Sequence, residues 1–131
     1  MKTNRTVPLI SMFAFACLAL PAAAADRMSA GQWVETTTVG GKTFNTSQCM
    51  AQSDVDAMNG DAKAVRAYLE KVIPPSICKL TDIQVNADQI IYTSACGSAA
   101  AVETTTYHGD SFEGADSKGT KSEGKRVGAC K

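Results

Sequence analysis

The side chains that could do chemistry in this 131-residue chain are one histidine, five cysteines and carboxylates spread along its length. Any Ser-His-Asp triad or Cys-His pair would have to be built on His108. That residue stands beside Gly109-Asp110, a turn sequence, with no third group placed to orient it. His108 and Asp110 would supply two metal ligands, short of the three or four that protein sites use. There is no phosphate-cradling glycine loop, no G-x-S-x-G and no H-E-x-x-H. A non-enzymatic protein without metal or cofactor is expected.

Two carboxylates stand out by position. Strand alternation puts Glu35 on the face of Trp33 and Val39, and Glu103 on the face of Tyr107. A carboxylate on a core-directed face is costly unless it is paired or wet. Either the strands curve around a partly polar cavity, with aromatic walls and carboxylates at the rim, or the sheet is shallow with mixed faces. Trp33, Glu35, Glu103 and Tyr107 are the candidate ligand-binding residues, for a small or cationic ligand in the cell envelope. The alternative is a protein-interaction or inhibitor protein that engages an envelope protein through a disulfide-braced loop, Ser117 to Lys125.

Cys49, Cys78, Cys96 and Cys130 contain no C-x-x-C knuckle, so disulfides are expected rather than zinc. The chain begins with Lys2 and Arg5, then the apolar run Val7 to Leu20, then Pro21 and Ala23-Ala24-Ala25, the anatomy of a secretory leader cleaved near Ala25. The run is shorter than the ~20 residues a helix needs to span a bilayer. Ala14-Phe15-Ala16-Cys17 loosely resembles a lipidation site, but apolar sequence continues past Cys17, which favours cleavage. A periplasmic or secreted domain over residues 26–131 is the expectation.

With the leader go Lys2 and Arg5, which leaves 11 of the 13 basic residues against 13 acidic ones, net charge −2. Nucleic-acid binding needs a basic surplus and basic clusters, and neither is present. Lys118, Lys121, Lys125 and Arg126 are interleaved with Asp116 and Glu123, the pattern of a solvated face.

The elements that must position these residues are mostly strands. Gln32 to Val39 and Thr43 to Met50 form a first hairpin across Gly40-Gly41-Lys42. Ser53 to Gly60 is polar and turn-like. Asp61 to Ile73 carries Val65, Tyr68, Leu69 and Val72 as one apolar helical stripe, and Pro74-Pro75 ends it. Cys78 to Val85 and Gln89 to Cys96 are a hairpin about Asn86-Ala87-Asp88, with Val85 facing Gln89. Holding that index total puts Cys78 opposite Cys96, within reach of a disulfide. Cys49 and Cys130 pair by elimination. Loop-entropy estimates give the short and long bridges about 3 and 4.5 kcal/mol.

Val34-Glu35-Thr36-Thr37-Thr38 recurs as Val102-Glu103-Thr104-Thr105-Thr106, and the same offset maps Gly41 onto Gly109 and Phe44 onto Phe112. Gly109-Asp110 is a two-residue hairpin turn, and by offset Gly41-Lys42 is another. Tyr107 then faces Phe112, Val39 faces Phe44 and Trp33 faces Met50, with the large residues on a core face. Beyond Phe112 the glycine-rich polar chain suggests short, irregular edge strands. The fold class is mainly β (α+β): antiparallel hairpins forming a curved sheet or small open barrel, one helix between the first two hairpins, and two disulfides.

Gly31-Gln32-Trp33, the cysteine closing the second strand at Cys49, and the hairpin flanked by Cys78 and Cys96 recur as a set. So do Gly109-Asp110-Ser111-Phe112-Glu113-Gly114 and the ending Lys125-Arg126-Val127-Gly128-Ala129-Cys130. In order and spacing they resemble the domain of unknown function 3617, a family of small exported bacterial proteins. The resemblance implies a periplasmic, two-disulfide, β-rich domain and carries over no catalytic residue.

Overall fold

The computed structural model describes residues 26–131; the expected leader, its cleavage point and Cys17 lie outside the described residues. A first hairpin, β1 (Gly31–Val39) and β2 (Lys42–Met50), is followed by two helices, α1 (Gln52–Met58) and α2 (Ala62–Val72). A meander follows: β3 (Lys79–Val85), β4 (Gln89–Cys96), β5 (Ala99–Tyr107), β6 (Ser111–Asp116) and β7 (Lys121–Gly128). The seven strands form one antiparallel sheet in the order β2-β1-β7-β6-β5-β4-β3. The helices thus carry the chain from one edge of the sheet to the other, and the meander brings it back to pair with β1. The sheet stays open, with β2 and β3 as its edges.

Both disulfides form as the sequence predicts, Cys49 with Cys130 and Cys78 with Cys96. The register behind the second is only half as expected. Lys79, Leu80 and Thr81 pair with Ala95, Ser94 and Thr93, as required, but Val85 faces Ile90 rather than Gln89. A bulge between Thr81 and Gln84 absorbs the slip, and Asp82 within it takes a left-handed backbone (φ 53°). The extra residue on β3 breaks the regular ladder that a constant index total requires.

The first hairpin also shifts. Its turn is Gly40-Gly41, with Val39 opposite Lys42 and Trp33 opposite Gln48. Copying the later turn by offset overlooked the glycine pair, since a type I′ turn needs positive φ at both central residues and only Gly-Gly offers it here (φ 55° and 77°). The hairpin about Gly109-Asp110 is as expected, with Tyr107 opposite Phe112. The shift at the first hairpin is by two places, so side chains keep their faces. Val39 and Phe44 are nevertheless 47% and 55% exposed, because nothing covers that end of the hairpin.

Where a turn was expected at Ser53 to Gly60, α1 forms. Val55 and Met58 on one side are buried, Asp54 lies in the first turn and Gln52 bonds to Asp56 four residues on. Its two apolar residues were too few to register as a stripe. The second helix is close to its expected span: Asp61 caps it by accepting from the Ala64 amide at 2.9 Å, and Val65 and Leu69 are buried while Val72 is not. The polar segment after Phe112 makes central strands instead of irregular edge strands. In β7 the charged Lys121, Glu123 and Lys125 point outward, while Ser122, Gly124 and Arg126 face the concave side. Gly124 carries no side chain because the Phe112 ring lies against it.

Both helices fill one end of the concave face. Trp33, Val55, Val65 and Ile90 are wholly buried there, with Met28, Met50, Leu80 and Tyr107 around them.

Candidate functional site

The concave face has two halves. In the half under the helices, Trp33 is 1% exposed, its indole N–H donates to the Ser29 carbonyl at 2.9 Å, and its ring stacks on Phe112 at 5.8 Å. Phe112 in turn meets Tyr107 at 5.9 Å. Gly124 makes this stack possible, because a Cβ there would sit 2.0 Å from the Phe112 ring. Trp33 and Tyr107 are therefore joined through Phe112 in one aromatic floor, 1% and 9% exposed.

Glu35 and Glu103 share the concave face and are both partly exposed; by register Glu35 is level with Gly124, Phe112 and Tyr107, and Glu103 lies two inward positions further along. Tyr92 lies on the next strand beyond Glu103 and is its register partner, and its phenol is pushed up to about 12 by burial first, then by the charges of Glu103 and Glu35. The strands of Glu35 and Tyr92 are four places apart, about 19 Å in a flat sheet at ~4.8 Å per strand. For Glu35 to act on Tyr92 the sheet must curl, as an open trough does.

Asp116, opposite Glu103 on β6, completes the acidic group. Burial works to raise the Asp116 pKa, but hydrogen bonds from Thr120 and from the Lys118 and Gly119 amides outweigh it and hold the carboxyl low. Its Oδ1 accepts from the Lys118 and Thr120 amides at 2.8 and 2.9 Å. Burial and this neighbouring carboxylate raise the pKa of Glu103, against a 3.5 Å hydrogen bond from the Ser94 hydroxyl. Glu35 accepts from Thr37 at 3.3 Å. Among the described residues, the ion pairs are Arg66–Glu70, Lys71–Asp54 and His108–Glu113, so none of Glu35, Glu103 and Asp116 is neutralised by a basic side chain.

Tyr92 and Asp116 were missed as site residues. Alternation from Cys96 would have put Tyr92 on the right face, but Asp116 was hidden in a segment read as a solvated tail. Arg27 left no signal at all. Its guanidinium is 4% exposed and donates only to main-chain carbonyls, those of Met58 (2.8 Å), Asn86 (2.8 Å) and Gly60. It ties the N-terminal segment to the end of α1, where Asn59 also bonds to Met28 through both N–H and C=O.

Elsewhere, His108 is exposed and sits 3.8 Å from Glu113, and no group of three or more His, Cys, Asp or Glu with metal-binding geometry occurs among the described residues. A hollow of about 480 Å³ opens on the outer face beside Val34, Glu123, Lys125 and Val127, away from the acidic trough. Ser117 to Lys125, expected as a loop, is a short turn followed by most of β7, which is hydrogen-bonded on both sides. Its backbone groups are already used, which leaves only the turn free to engage a partner.

A pattern shared by a family of proteins of unknown function, DUF3617, matches residues 28–130. The chain belongs to this family. The match spans every strand, both helices and all four disulfide cysteines, so the DUF3617 pattern and the fold are coextensive here. No curated protein and no solved structure matches the chain.

Proposed function

We propose that this DUF3617 protein is an exported, non-enzymatic binding module whose trough takes a small organic cation. The observation behind this is that the charges of Glu35 and Glu103 both act on Tyr92, with Asp116 opposite Glu103, and that none of the three carboxylates has a basic partner among the described residues. Raised proton affinity at Glu103 reflects burial first and then the Asp116 charge, and a bound cation would offset both. The Tyr92 ring offers a cation the electron-rich face that aromatic residues use for ammonium and guanidinium groups. Export fits two disulfides, which persist in oxidising compartments, and no described helix is long and apolar enough to cross a membrane. Cleavage near Ala25 is part of the same proposal.

Isothermal titration with alkylammonium, guanidinium and quaternary ammonium compounds, each beside its neutral isostere, tests it. Cations should bind and their isosteres should not. Adding salt should weaken the affinity. The Glu35→Gln/Glu103→Gln protein should bind at least about tenfold more weakly, the loss of ~1.4 kcal/mol expected when a partly desolvated charge pair goes. If no cation binds, or if the double variant binds as well as the parent, the proposal fails.

A further inference from the structure

The two edges of the sheet are finished differently. The β3 edge is interrupted by the bulge at Asp82 and carries Lys79 and Asp82, devices that stop a sheet from growing. The β2 edge has no bulge and a charge only at its first residue. Its nine residues pair with β1 without a break, every one from Lys42 to Cys49 is exposed, and Lys42 is its single charge. It holds no proline, and its far end is pinned by the Cys49–Cys130 disulfide.

A two-residue turn closes on a hydrogen-bonded pair, here Val39 with Lys42. By alternation Lys42, Phe44, Thr46 and Gln48 bond to β1, and Thr43, Asn45, Ser47 and Cys49 turn their N–H and C=O groups outward. The side chains that might have covered this edge are bent back to β1: Asn45 accepts from Thr36 at 2.9 Å, and Ser47 from Gln32 at 2.7 Å.

We infer that the β2 edge pairs with the β2 edge of a second copy of this chain, antiparallel about a two-fold axis at Thr46, to give a continuous sheet through both molecules. The choice of occupant follows from charge and symmetry. With no acid and one terminal lysine, β2 has no charge pattern with which to select a foreign strand. About Thr46, all nine residues find partners: Thr46 meets Thr46, Asn45 meets the second copy's Ser47, and Lys42 meets Met50. Like charges are never opposed, and Thr–Thr is a favourable cross-strand pair. Such an interface is isologous and uses up both β2 edges, while the guarded β3 edges stop further growth.

Sedimentation equilibrium on the purified, oxidised protein over a wide concentration range should give a monomer–dimer equilibrium. Thr46→Lys opposes two lysines on the axis and should weaken dimerisation at least tenfold with an unchanged circular dichroism spectrum. Lys79→Thr, on the other edge, should leave the dimer as it is. Thr46→Cys should cross-link two chains under mild oxidation, since opposed Cβ atoms lie about 5 Å apart, whereas Asn45→Cys should not. The cross-link decides the matter even if Thr46→Lys fails to fold. A monomer at every concentration, or a dimer indifferent to Thr46→Lys with no cross-link at Thr46→Cys, overturns the inference.

Discussion

The two halves of the trough are built from the same strands and do opposite work. Under the helices, β1, β5 and β6 contribute Trp33, Tyr107 and Phe112, which bury one another. One or two steps along, the same strands contribute Glu35, Glu103 and Asp116, of which Glu103 and Asp116 are directly opposed and repel each other. The difference is coverage. Two short helices reach only one end of the sheet, and the alternation that sends large residues inward there sends carboxylates into a half-wet groove at the other. The apolar half holds the fold, and along the same face Glu103 keeps a raised proton affinity from burial and from the Asp116 charge.

The sharpest way to break this contrast is at Gly124, where any side chain collides with the Phe112 ring. Gly124→Ala should displace that ring from Trp33 and destabilise the protein by about 3 kcal/mol, the scale of a disrupted aromatic core contact. In a Phe112→Ala background the same change should cost well under 1 kcal/mol. Urea unfolding of the four proteins measures the coupling. Additive effects would mean that the stack is not what requires glycine. Arg27 comes next: Arg27→Met should cost about 2–3 kcal/mol, because the carbonyls of Met58, Asn86 and Gly60 lose a buried donor. A midpoint unchanged in urea would show those carbonyls to be solvated.

What the sequence made legible follows the same division. Strand alternation and cysteine placement located the curved sheet, both disulfides and the face shared by Trp33, Glu35, Glu103 and Tyr107. Errors came where a local irregularity replaced a repeating pattern: the bulge at Asp82, the glycine pair at Gly40 and Gly41, and an α1 with only two buried residues. β7 reads as loop from its sequence because Gly124 looks like a breaker until the Phe112 ring against it is known. Burial of Trp33 and Tyr107 could not be told from exposure, since alternation gives a face and says nothing of what covers it. Arg27 was unreadable because its partners are backbone atoms, which leave no trace in residue types.

The smallest predicted effect sharpens the comparison most, because its sign differs from the others. Glu103 has a pKa raised in the folded state, by burial and by Asp116. Between the ordinary carboxylate value, about 4.3, and that raised value, the folded chain holds a proton that the unfolded chain has released. Its contribution to stability is therefore complete below the ordinary value and is lost as pH rises through the window. Glu103→Gln removes the repulsion, so the variant should be the more stable protein at pH 7 and lose its advantage near pH 4. Glu103 is partly exposed, and screening by water keeps the gain to about 0.5 kcal/mol or less, roughly 2–4 °C in Tm for a domain of this size. Thermal unfolding at the two pH values measures it, and a variant less stable than the parent at pH 7 would contradict the assignment. A bound cation should act in the same direction as the substitution: it would favour ionised Glu103, so affinity should rise with pH across the window in which the parent loses stability.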